Sequence, residues 1–228
     1  MANYLELLER KNLLWRGRGR VCKPEAVSTG FTLLDSALQG GWPKHGVIDI
    51  QTAVGIGELR LILPHFAQEK RLKVLINPPG RVQAAAINYL SLDLSEFVIL
   101  QPKSDSEALW AAEQCLKSGA SSAVVLWQDA LSIAVVKRLQ LAAQSGDSRL
   151  FVLHQGQYMS TLPFSLSLVL EAKPCALQVS IKKQRGSFSQ HAIKLRNTNY
   201  WPELEKQTLP NIDESITMPC GYDQRLTS

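Results

Sequence analysis

The sequence predicts an α/β domain: a twisted, mainly parallel sheet flanked by helices, with antiparallel edge strands near the C-terminus. Three observations carry that expectation. Between residues 46 and 154 short apolar runs alternate with helical stretches, and helices of about 10–15 residues between strands imply right-handed crossovers in a parallel sheet. The first of those strands is followed at once by a Gly55/Gly57 turn and a helix. After residue 163 the alternation stops, and three strand-like runs follow without helices between them.

In chain order, residues 2–15 read as an amphipathic helix. Asn3 is a capping type, and Tyr4, Leu7, Leu8, Leu14 and Trp15 recur at three- and four-residue spacing. Arg-Gly-Arg-Gly-Arg at 16–20 ends it and sets three arginines on a pliable backbone. A second helix spans Phe31 to Leu38, closed by Gly40-Gly41 and barred from resuming by Pro43. Strands are expected at 46–50, 73–76, 97–100, 123–127 and 150–153, with helices at 58–69, 81–90, 104–118 and 131–144 between them. The three later strands fall at 165–171, 176–182 and 189–195, and the stretch from Lys182 to Gly186 reads as a basic turn between antiparallel edge strands. From residue 197 periodicity is lost and Pro202, Pro210 and Pro219 intervene. The chain thus divides into an N-terminal helix and basic linker (1–27), a core (28–196) and an extended or disordered tail (197–228).

Composition narrows the function classes. A chain of 228 residues that is 45% hydrophobic and 20% charged is no disordered polymer. No apolar run approaches the roughly 20 residues of a membrane span. The start of the chain has no apolar signal core, so a cytoplasmic location is expected. Cys22, Cys115, Cys175 and Cys220 are far apart, as are His45, His65, His154 and His191; neither set has zinc-site or disulfide spacing, and no metal is expected. A net charge of +5 with pI near 9.1 permits contact with nucleic acid or an acidic protein but selects neither.

The strand–turn–helix at 46–69 stands where a nucleotide-binding α/β protein keeps its phosphate loop. Such a loop surrounds phosphates with backbone N–H groups, neutralises them with a lysine and holds Mg²⁺ with Ser or Thr. Here Thr52 replaces the first glycine, Glu58 the lysine and Leu59 the magnesium ligand, while Gly57 is kept and Gly55 lies inside the loop. A carboxylate repels a triphosphate, and leucine offers the metal nothing. The residues therefore argue against ATP hydrolysis; the plain alternative is a glycine-dependent bend between strand and helix.

Here the sequence resembles the RecA superfamily, over most of residues 1–196. The resemblance rests on the stretch from Ser28 through Pro43, on Gly46 and the altered loop after it, on Leu100-Gln101-Pro102, on Glu107-Ala108-Leu109 and on Lys117 to Ala120. In that register Pro79 falls at the catalytic glutamate and Trp127 at the magnesium-coordinating aspartate, with Asp129 displaced by two positions. Gln155 matches the glutamine that senses the terminal phosphate. Both DNA-binding loops are shortened. The resemblance implies a RecA-like fold without catalytic residues or cofactor, and Trp127 is expected to fill the space left by nucleotide and metal.

Within the superfamily the sequence is similar to the ImuA family and its relative, the SulA division inhibitors. The matching blocks are Val54 to Leu59 with Leu61 to Pro64, Ser106 to Gln114, and Arg138 to Ala143. This resemblance implies a non-catalytic adaptor of damage-induced translesion synthesis, binding RecA and ImuB and, through ImuB, an error-prone DnaE-type polymerase. The alternative is a SulA-like inhibitor of the tubulin-like division protein.

The expected interaction surfaces follow. Leu7, Leu8, Leu14 and Trp15 give the leading helix an apolar face for RecA or for a second copy of the chain. Trp201, beside Tyr200 and Pro202, is a partner anchor by residue type. Arg16, Arg18 and Arg20, and Lys182, Lys183 and Arg185, are candidate phosphate or partner contacts, with weak nonspecific DNA binding at most. Trp110 is expected to pack against a sheet face.

Overall fold

The computed structural model describes residues 25–67, 69–156, 162–184 and 192–201. The leading helix with Leu7, Leu8, Leu14 and Trp15, the arginines Arg16, Arg18 and Arg20, residue Arg185 and the tail beyond Trp201 lie outside the described residues.

The chain enters through β1 (Ala26–Val27), α1 (Thr32–Ala37) and β2 (Trp42–Pro43), and β1 and β2 pair antiparallel in a small separate sheet. The motif from Ser28 to Gly41 holds this entry together. The Asp35 carboxylate accepts from Ser28 Oγ at 2.6 Å and from the Thr29 N–H at 2.7 Å. Gly41 has φ +116°, and a Cβ there would lie 2.2 Å from the Val27 carbonyl oxygen, so no other residue fits. Trp42 is fully buried and meets Phe151 edge-on at 5.3 Å.

Then come β3 (Gly46–Gln51), α2 (Glu58–Phe66), β4 (Leu72–Ile76), α3 (Ala84–Tyr89), a single 3₁₀ turn (Leu94–Glu96), β5 (Phe97–Leu100), α4 (Asp105–Lys117), β6 (Ser121–Trp127), α5 (Ile133–Ser145) and β7 (Arg149–His154). The C-terminal portion supplies β8 (Leu166–Lys173), β9 (Ala176–Gln184), β10 (Ala192–Arg196) and the one-turn α6 (Asn197–Tyr200). The large sheet has the order β10-β9-β8-β3-β7-β6-β4-β5. Strands β8 through β5 in that order are mutually parallel, whereas β9 and β10 are antiparallel additions. Antiparallel pairing thus begins between β8 and β9, since β8 itself runs alongside β3.

The central strands are apolar on both faces because both are covered. In β7, Phe151 and Leu153 join one core while Leu150 and Val152 join the other. The first core takes α1, α2 and α3 together with Trp201; the second takes α4 and α5. Helices α4 and α5 start on Ser104 and Ser132, whose hydroxyls accept from the N–H groups of Glu107 and Val135.

At the end of the sheet away from the β3–α2 turn, Arg149 is buried and donates to the Pro43 carbonyl at 3.1 Å and to Glu69 Oε1 at 2.9 Å. Its third contact is His65 Nε2 at 2.9 Å, while His65 Nδ1 meets the Ser28 carbonyl at 3.0 Å. A carbonyl demands a proton on Nδ1, so Nε2 accepts from Arg149 and the imidazole is neutral. Burial, reinforced by the Arg149 charge, pushes its pKa down to about 4. Nearby, Lys73 is fully buried and ion-paired with Glu96. Among the described residues no helix is long and apolar enough to cross a membrane.

Candidate functional site

The carboxyl ends of β3, β6 and β7 open onto a cleft of about 320 Å³, lined among others by Thr52, Glu58, Pro79, Trp127, Asp129 and Gln155. This is where doubly wound α/β proteins place their ligands. Thr52, Glu58, Pro79 and Trp127, singled out in the sequence for the phosphate site, line this one cleft, as does Gln155, whereas Gly55, Gly57 and Leu59 line a neighbouring one.

The loop itself retains the geometry of an anion nest. Gly55 has φ +81° and Gly57 φ +97°, the latter as the left-handed N-cap of α2. What fills the nest is the protein's own side chain. Glu58, the first residue of α2, turns its carboxylate back so that Oε1 accepts from the Gly55 N–H at 3.4 Å and Oε2 from the Gly57 N–H at 3.2 Å. It is only 7% exposed. A carboxylate at a helix N-terminus is also favoured by the helix dipole. The Thr52 hydroxyl is turned to the Ala53 carbonyl at 3.0 Å, and Leu59 packs against the first core. The loop's donors thus meet a tethered anion, and neither the lysine nor the hydroxyl that a magnesium triphosphate requires is present; this residue set does not fit that group.

Trp127 corrects an expectation. It packs against the first core at the end of β6, yet it forms a wall and leaves the cleft open. Asp129 does not replace the missing aspartate: its Oδ1 accepts from the Gln155 N–H at 3.0 Å, bracing two loops against each other. Asp105 and His154 also line the cleft and were not singled out in the sequence. Asp105 was legible as the first helical residue after a capping serine. His154 was not: its Nε2 pairs with Asp49 Oδ1 at 2.8 Å, and Asp49 also accepts from the Ser167 hydroxyl, a buried polar link between β7, β3 and β8. The one polar residue within the apolar run of β3, Asp49, was its sequence signal. No described group of three or more His, Cys, Asp or Glu is arranged to hold a metal ion.

The other predicted contacts are scattered. Trp201 is not a free anchor: it is 8% exposed and packs in the first core, with Phe31 at 5.7 Å and Tyr200 at 5.9 Å between ring centres. The one-turn α6 brings it back onto the domain, so the ordered core extends past residue 196. Lys182 and Lys183 belong to β9, not to a turn, and Lys183 Nζ donates to the Leu162 carbonyl at 2.8 Å. Trp110 is 63% exposed, against expectation, because α4 buries Ala108, Ala112 and Leu116 on its opposite side.

The sheet order and the nest after β3 define a RecA-like α/β fold. Comparison with known proteins agrees. A RecA protein of Rhodospirillum centenum is 30% identical over 135 residues, covering 58% of this chain and 37% of that protein. One of Rubrobacter xylanophilus is 31% identical over 130 residues, covering 55% and 37%. The chain therefore spans little more than a third of the length of the curated relatives it matches. Among solved structures, the RadB recombinase superposes with a TM-score of 0.61 at 17% identity, covering 74% of this chain and 94% of that one. SulA from Pseudomonas aeruginosa gives a TM-score of 0.41 at 28% identity, covering 48% and 98%. No family model matches the chain. The chain thus has a RecA-like fold and is similar in sequence to RecA proteins over a little more than half of its length.

Proposed function

We propose that this protein is a non-catalytic RecA-like adaptor in damage-induced translesion synthesis. It would bind RecA and an ImuB-type protein, and through the latter an error-prone DnaE-type polymerase. The reading is carried by one observation: the Glu58 carboxylate occupies the donors that would hold a phosphate. A triphosphate would have to expel that side chain and meet in its place a cleft wall that has Asp105 and Asp129 but, among the described residues, no Lys or Arg. With hydrolysis disfavoured, binding is left to carry function. The RecA-type framework around Asp35 and Gly41 is kept while the loop chemistry is changed, which supports retained surfaces on an idle motor.

The test pairs two measurements on the full chain. Titration calorimetry with magnesium ATP is expected to give no binding at micromolar concentration, and pull-down is expected to retain RecA and the ImuB-type partner. Deletion of the gene should abolish damage-induced mutagenesis. Micromolar nucleotide uptake would overturn the reading. Filamentous growth on overexpression, with mutagenesis intact after deletion, would replace it with a SulA-like division inhibitor.

A further inference from the structure

A second cleft, of about 270 Å³, lies between α2, α3 and the start of β5, on the far side of Glu58 from the first. Its lining is apolar inside and basic at the rim. Leu63, Leu75 and Ile87 are buried and Phe97 is half-buried, whereas Arg60 and Arg81 are exposed. Neither arginine forms an ion pair or side-chain hydrogen bond with any described residue. The one carboxylate in the wall, Glu58, is held by the loop N–H groups. Among the described residues, then, two guanidinium groups without a carboxylate partner stand beside a greasy recess.

We propose that this cleft is a docking groove for a linear peptide of a partner protein that presents one large apolar side chain flanked by carboxylates. The volume lies below the roughly 300–1,000 Å³ of small-molecule pockets, so it suits one or two side chains of a longer chain better than a cofactor. A buried apolar anchor supplies most of the binding energy in such contacts. Guanidinium groups on the rim pair with carboxylates in two-point geometry, which fixes register and speeds encounter. An acidic neighbour to the anchor is the charge complement of Arg60 and Arg81. The proposal does not rest on the adaptor reading: a groove of this chemistry would take such a peptide whichever pathway the partner serves.

The test is fluorescence anisotropy with the full chain and a labelled synthetic peptide, Ser-Asp-Glu-Leu-Phe-Asp-Ser. One control peptide carries lysine for each acid, another alanine for leucine and phenylalanine. The acidic–apolar peptide is expected to bind with a Kd on the order of tens of micromolar, and both controls at least about tenfold more weakly. R60E/R81E removes the rim charge, and A86W, at an exposed lining position of α3, fills the recess. Each should weaken binding about tenfold or more with the thermal midpoint unchanged. Higher salt should weaken the wild-type complex and, by screening the new repulsion, strengthen whatever binding R60E/R81E retains. Equal binding of wild type and both variants overturns the proposal, as does no binding at all or equal binding of the alanine peptide. Displacement by decanoate would make the cleft a fatty-acid site, and a concentration-dependent dimer lost in R60E/R81E would give it to a second copy of this chain; either result overturns the peptide assignment.

Discussion

His65 makes the fold acid-sensitive in a defined window. Its Nδ1 serves the Ser28 carbonyl and its Nε2 accepts from buried Arg149, so a second proton would place two cations 2.9 Å apart in the interior. Burial and the Arg149 charge hold its pKa near 4 in the folded chain, against 6.5 for the free side chain. Between those values the unfolded chain binds more protons, so stability rises with pH there and is lost as pH falls from 6.5 towards 4. A difference of this size corresponds to about 3 kcal/mol by the time pH reaches the folded value. Burial opposes ionisation of Glu69 more than any single contact favours it, yet Arg149 and Arg71 together hold its carboxyl below the ordinary carboxylate range, so its own contribution is lost at lower pH still. Comparison of wild type with His65→Gln isolates the imidazole, because Gln can serve the same carbonyl and guanidinium without titrating. Urea midpoints measured from pH 7.5 to 4 should fall more steeply for wild type, the gap between the two proteins closing or reversing by about 3 kcal/mol. Parallel pH profiles would refute the neutral-histidine assignment.

Three other outcomes are expected. Glu58→Ala leaves the Gly55 and Gly57 N–H groups without their anion, costing about 1–3 kcal/mol and raising amide exchange in the loop, read by hydrogen–deuterium exchange. Glu96→Ala strands the buried Lys73 ammonium and should cost about 3–5 kcal/mol, whereas replacing both Lys73 and Glu96 with Met should cost far less; urea denaturation of both distinguishes ion pairing from packing. Trp201→Ala should lower stability by about 3–5 kcal/mol because its ring lies in the first core, while Trp110→Ala, on the exposed side of α4, should change it by less than about 0.5 kcal/mol.

Much of the architecture was legible because the central strands are short, doubly covered apolar runs separated by helices, two of them serine-capped. Each boundary from β3 to β7 fell within a few residues of its sequence signal. The altered phosphate loop was legible too, as a position-by-position replacement at Thr52, Glu58 and Leu59. What Glu58 does instead was not, since repulsion of a ligand and capture of the loop's own donors leave the same letter in the sequence. Trp110 and Trp201 were misplaced for a shared reason. Tryptophan's residue type speaks for contact without saying with what, and the helical phase of α4 and the turn of α6 decide it. The cleft between α2 and α3 left no linear signal at all, because its lining residues come from four separate segments. Parallel alignment of β8 with β3 was hidden by the loss of rhythm after residue 163.

Helix α2 begins on a negative group that is covalently its own. In a phosphate-gated machine the ligand arrives, is spent and departs, and the segments touching it are rearranged at each stage. A tethered carboxylate is at the same local abundance under starvation and plenty, so on the adaptor reading proposed above the bend at Gly55–Gly57 would be insulated from the cell's energy supply. On that reading, whatever surface takes its shape from the bend would be held in one posture, and its use would be set by how much of the protein is made.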